Sequence, residues 1–132
     1  MMMEIPGNLR QNTVESPFPP GVDPQKVFEL YDGDCNIYLP VLRAYADEIP
    51  ETLNRLRNVS AAALPDYARV MHGIKGTSAS VCAEEARKMA ASLEAAAKSG
   101  DITGVLAQND SFLQYMDKFV TGIQNWLRRN GV

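Results

Sequence analysis

The run Ala68-Arg69-Val70-Met71-His72-Gly73-Ile74-Lys75-Gly76-Thr77-Ser78-Ala79-Ser80-Val81 holds the chain's single histidine and reads as one helix with two unlike faces. Val70, Ile74 and Val81 fall on the side that seeks a core, with Thr77 and Ser78 between them. His72, Lys75, Gly76 and Ala79 fall on another side, at i, i+3, i+4 and i+7. The imidazole therefore points away from the core, beside a cation and above residues with little or no side chain. Two glycines inside a helix are costly, about 1 kcal/mol each relative to alanine. Gly76 has no helix end to justify it; it clears the surface next to the ring, so that a partner's loops can approach. Lys75 can neutralise negative charge carried by a modified ring nitrogen and pair with phosphate oxygens. Imidazole is a competent nucleophile near neutral pH, where much of it is uncharged.

The next helix supplies a second piece. It starts near Ala83-Glu84-Glu85, where acidic residues suit the positive end of a helix, and stops at Ser99-Gly100. A hairpin turning at residue 83 sets position 72 opposite Glu94. A carboxylate there can accept a hydrogen bond from Nδ1–H of His72 and leave Nε2 as the nucleophilic nitrogen. Arg87, Ala91, Glu94 and Lys98 share one stripe, so Arg87 and Lys98 can frame the site with positive charge.

Working outward, the remaining helices follow. Asp23 is a good N-cap with Pro24 behind it, and Val27, Phe28 and Leu30 give a short first helix that ends at Asp32-Gly33-Asp34. Asp34 caps a second helix carrying Tyr38, Val41, Leu42, Tyr45, Ile49, Leu53 and Leu56 at three- and four-residue spacing. Pro50 lies inside it and predicts a kink or break. The helix of His72 starts near Pro65-Asp66. Asp101 caps the last helix, where Val105, Leu106, Phe112, Leu113, Met116, Phe119, Ile123 and Trp126 form an apolar stripe and Arg128 and Arg129 close the end. Strand signals and internal repeats are absent. Short connections make neighbours antiparallel, so the expected fold is all-α: an antiparallel up-down four-helix bundle with a short extra N-terminal helix. Residues 1–22, rich in Pro and Gly and without periodicity, read as a flexible tail or the end of a linker, with the domain at 23–132.

Composition narrows the function classes. A chain of 132 residues with 45% hydrophobic and 22% charged residues builds one ordinary core. A net charge of -3 argues against nucleic acid, which demands clustered cations. No apolar run approaches the roughly 20 residues of a membrane span, and no charged-then-apolar leader opens the chain, so a cytoplasmic protein without membrane contact is expected. One histidine and two separated cysteines, Cys35 and Cys82, do not assemble a zinc sphere or a disulfide framework. No G-x-S-x-G elbow is present for a hydrolase.

At this point the residues resemble a known family. His72-Gly73-Ile74-Lys75-Gly76-Thr77-Ser78-Ala79 is similar to the H-x-x-K-G-x-[SA]-[AG] signature of histidine phosphotransfer (HPt) domains. Ala90-Ala91-Ser92-Leu93-Glu94 to Gly100-Asp101 resembles the family's following A-x-x-L-E…G-D segment, and Gly33-Asp34…Tyr38-Leu39…Leu42 its G-D…Y…L helix. The likeness covers about residues 22–129. It implies a phosphorylatable His72, a phosphate- or partner-contacting Lys75, a small residue at Gly76, and a Glu94 that touches the histidine. It also implies a phosphocarrier without kinase activity, working between receiver domains and with a hybrid sensor histidine kinase as a further partner. The resemblance implies a monomer without a bound cofactor, the Mg²⁺ of transfer belonging to the receiver. Two positions depart from the pattern. Gly73 stands where Thr, Ser or Ala is usual, and Val81-Cys82 where Leu-Gly is common, with Cys82 less suited than Gly to a left-handed turn. The rival reading from another class is a docking bundle that inhibits a kinase or receiver and makes no use of a nucleophile.

Overall fold

Asp23 opens the first helix, α1 (Pro24–Tyr31): its Oδ1 accepts from the backbone N–H of Gln25 at 3.0 Å and of Lys26 at 3.4 Å, two of the donors a helix start leaves unpaired. This computed structural model describes residues 17–131. Asp32 and Gly33, both at positive φ, end α1, and Asp34 Oδ1 caps α2 (Cys35–Asn54) through the N–H of Asn36 at 2.9 Å. A 3₁₀ turn (Ala61–Ala63) leads into α3 (Leu64–Ser80). Then follow α4 (Glu84–Lys98) and α5 (Ile102–Arg129), the latter capped by Asp101 Oδ1 on the N–H of Gly104 at 2.9 Å.

Helix α3 packs on α2 and α4, and α5 closes the ring against α2 and α4. The protein is an all-helical four-helix bundle with a short extra N-terminal helix. Tyr38, Leu42 and Leu53 of α2, Met71 and Ile74 of α3, Leu93 of α4, and Phe112, Met116 and Ile123 of α5 fill its axis almost without exposure. Each contributes on the order of 1.5–3 kcal/mol by leaving water. The small Ala86 and Ala90 of α4 are wholly buried, and α3 and α4 pack on each other more extensively than any other pair.

Four expectations need correction. The helix does not break at Pro50: α2 runs through it to Asn54. Proline removes the N–H that would pair with the carbonyl of Ala46; Gln124 Nε2 of α5 donates to that carbonyl instead, at 3.3 Å. Leu106 leaves the α5 stripe and is 56% exposed, the core position being taken by Val105. Leu30 of α1 is likewise exposed. Finally, the segment before Asp23 does not all behave as a tail, since Phe18 and Val22 are buried in the core. Phe18 meets the rings of Tyr38 at 5.7 Å and Trp126 at 6.0 Å. The domain boundary expected at residue 23 thus moves back to at least residue 17; the rest of the expected tail, residues 1–16, lies outside the described residues.

The α3–α4 turn sets the register of the helices that carry the site. The N–H of Ala83 donates to the Ser78 carbonyl at 2.9 Å and that of Cys82 to the Ala79 carbonyl at 3.1 Å. This is a Schellman motif with Cys82 in the left-handed position at φ 62°. The carbonyls left over are capped from outside. Tyr31 Oη donates to Ser80 O at 2.7 Å, Tyr38 Oη to Val81 O at 2.8 Å, and the N–H of Asp23 to Cys82 O at 2.9 Å.

Candidate functional site

The turn brings the middle of α3 against the second half of α4, and His72 meets Glu94 there. His72 Nδ1 lies 2.9 Å from Glu94 Oε2. The two side chains differ sharply in exposure, 67% for the imidazole against 5% for the carboxylate. A buried charge needs partners, and Glu94 has two further ones. Lys75 Nζ, one turn along α3 from the histidine, reaches Oε1 at 2.7 Å, and Lys98 Nζ, one turn along α4, reaches Oε2 at 2.8 Å. These contacts hold the carboxyl at about 2, well below the usual range: Lys75 lowers it most, then Lys98, burial works against them, and His72 adds a smaller lowering. Glu94 is therefore ionised, so Nδ1 donates as N–H and Nε2 is left facing solvent. With one carboxylate and two ammonium groups the cluster is locally cationic, in a chain whose net charge is -3.

Around the ring the surface is low. A Cβ placed on Gly73 or Gly76 would meet nothing within 4 Å. The structure thus brings together His72, Lys75, Gly76 and Glu94, and of the two cations expected to frame them it places Lys98 in the cluster. Arg87 stands apart, bound to Glu84 one turn earlier on α4, and does not touch the cluster. Arg69 was missed. It lies at i−3 from His72, a spacing visible in the sequence, and lines a groove with His72, Glu94 and Lys98 while pairing with Asp66 at 3.0 Å. Of the tyrosines at the α3 end, Tyr38 and Tyr45 read from the sequence only as core residues, and Tyr31 carries no reading there. Their signal is the seven-residue spacing of Tyr31, Tyr38 and Tyr45. Among the described residues no group of three or more His, Cys, Asp or Glu side chains is placed to hold a metal ion, and no helix is long and apolar enough to cross a membrane.

Fold and site together define a helical bundle that displays one imidazole to solvent over a buried, charge-compensated acid. The family comparison gives that description its class. The family model of the Hpt domain matches residues 40–129, and the chain belongs to that family. Hpt domains are phosphocarriers that serve histidine phosphotransfer in two-component phosphorelays and interact with receiver domains. No curated protein and no solved structure matches this chain.

Proposed function

We propose that His72 is the phosphoacceptor, taking a phosphoryl group from the phosphoaspartate of one receiver domain and passing it to the aspartate of another. The observation that carries this reading is the Nδ1 contact to the buried Glu94 carboxylate, which commits the outward nitrogen, Nε2, to nucleophilic attack. Nε2 attacks phosphorus, the aspartyl O–P bond breaks, and the receiver's carboxylate leaves. The ring becomes cationic on forming the N–P bond, and Glu94, already holding Nδ1–H, stabilises that charge. In the second half-reaction an incoming aspartate attacks phosphorus and the N–P bond breaks, returning the electron pair to Nε2.

Lys75 and Lys98 serve the phosphoryl oxygens electrostatically, because both ammonium groups already stand within one helical turn of the ring. Gly76 leaves the path open for the receiver's loops. The Mg²⁺ of the reaction belongs to the receiver, and no group in this chain is asked to bind it. A hybrid sensor histidine kinase, through its own receiver, is the natural upstream donor. The protein acts as a monomer in the cytoplasm and has no kinase activity of its own.

The test uses receiver domains charged with acetyl phosphate and the full chain. The wild type becomes labelled with base-stable, acid-labile phosphate, and His72→Gln does not. A receiver that binds the chain without labelling it, and is slowed in its own phosphorylation, would replace this reading with that of a docking inhibitor.

A further inference from the structure

Three tyrosines seven residues apart, Tyr31, Tyr38 and Tyr45, all reach the last turns of α3. Tyr31 and Tyr38 donate to the successive carbonyls of Ser80 and Val81, and Tyr45 Oη shares a 2.9 Å hydrogen bond with the buried hydroxyl of Ser78. The first two rings also pack edge to face, 5.2 Å apart. Burial raises the phenols of Tyr38 and Tyr45 well above their ordinary range and raises that of Tyr31 as well, so all three stay neutral. A helix leaves its final carbonyls without intrahelical partners; here α1 and α2 supply them, two helices that contribute nothing to the His72 cluster itself.

The turn they hold needs holding. Cys82 sits at φ 62°, a conformation that glycine adopts freely and a side chain bearing Cβ adopts at a cost. Cys82 is buried and its carbonyl accepts from the N–H of Asp23, so the N-terminal side of the molecule grips three consecutive carbonyls of one turn. That same turn fixes how far α3 stands along α4, and hence whether Nδ1 of His72 falls within hydrogen-bond reach of Glu94. A slip of about 1.5 Å, one residue's rise, is enough to lose a 2.9 Å contact.

We infer that Tyr31, Tyr38 and Tyr45 form a tyrosine ladder of positioning residues for phosphotransfer: by clamping the end of α3 they hold His72 over Glu94 and keep its proton on Nδ1. The inference rests on the reading of His72 as phosphoacceptor for its functional consequence, but the geometry it asserts has a readout independent of phosphate. With histidine-¹⁵N-labelled full-length protein at about pH 8, nitrogen shifts report the share of Nδ1–H and Nε2–H tautomers. Thermal melts and transfer rates from a charged receiver are measured beside it.

In Tyr38→Phe the ratio of Nδ1–H to Nε2–H falls about fivefold, the ratio matching one hydrogen bond's typical net worth, and transfer slows with it. Tyr31→Phe, at the half-exposed rung, keeps the fold most securely and shifts the ratio in the same direction. Adding Cys82→Gly to Tyr38→Phe restores the ratio, because glycine holds the left-handed turn without help. A ratio equal to wild type in both phenylalanine variants, with only the melting temperature lowered, overturns the inference and leaves the tyrosines as fold stabilisers. Failure of Cys82→Gly to restore the ratio overturns it as well. If His72 were not the phosphoacceptor, the wild type itself would remain unlabelled while the tautomer ratio still scored the ladder.

Discussion

Glu94 is the residue on which the site's electrostatics rest. One nearly buried carboxylate receives His72, Lys75 and Lys98 at 2.9, 2.7 and 2.8 Å. Its folded-state pKa of about 2 lies below the ordinary 4.5. Between those values the unfolded chain binds the proton and the folded chain does not, so folding stability rises with pH across that window. The contribution is complete above the unfolded value and is lost as pH falls through about 2. Urea midpoints of wild type and Glu94→Gln should therefore differ most near neutral pH, and the gap should close steadily between about pH 4.5 and 2. A gap independent of pH would mean that shape, not charge, distinguishes the variant. The contact of His72 with Glu94 was legible in the sequence because a hairpin is symmetric about its turn, and that of Lys98 with Glu94 because i and i+4 are neighbours on a helix. Lys75 reads in the sequence as a contact for phosphate or a partner. Its ammonium crosses to α4, a choice made by the buried carboxylate and not by any spacing in α3.

At the scale of the helix, α3 gives up stability for access. Gly73 and Gly76 stand two and one turns from its C-terminal end, with open space where each Cβ would be. Gly73→Ala should stabilise the fold by about 0.5–1 kcal/mol, worth several degrees in a chain of this size, and leave transfer near wild type. Gly76→Gln should keep the bundle folded and slow transfer from a charged receiver by about 10²-fold, since a displacement of about 1 Å at the reacting atoms costs that much. Equal transfer by Gly76→Gln and wild type would remove steric access as the reason for this glycine. Helix positions and the order of the bundle were readable because α1, α2 and α5 each start at a capping aspartate and each face repeats at helical spacing. What escaped was what depends on a distant partner. Pro50 reads locally as a break, yet Gln124, far along the chain, donates to the carbonyl it strands. Cys82 reads as a poor turn residue, yet three donors from the N-terminal half hold its turn. Leu106 and Val105 compete for one inward position, and adjacent apolar residues do not say which wins.

The molecule as a whole begins earlier than its periodicity does. A segment of prolines and glycines shows no helical pattern, so nothing in its order announces that Phe18 and Val22 are core residues. Gly21 makes the docking possible: at φ 98° it turns the chain, and a Cβ there would stand 2.7 Å from the Phe119 ring. The segment then enters α1 through Asp23, whose N–H is tied to the α3–α4 turn. It therefore joins the outer surface of the bundle to the hinge of the functional hairpin. A chain starting at residue 23 loses two buried side chains and uncovers the rings of Tyr38 and Trp126 that Phe18 touches. Relative to a chain starting at residue 17, it should be less stable by roughly 3–5 kcal/mol before the ordering entropy of the segment is regained. Phe18→Ala in the full-length protein should show most of that loss, on the order of 3 kcal/mol, by urea denaturation. If the chain from residue 23 unfolds at the same urea concentration as the chain from residue 17, the segment lies on the bundle without supporting it. If it unfolds earlier and Phe18→Ala reproduces the shift, the structural unit that carries His72 includes the segment the sequence assigned to a tail.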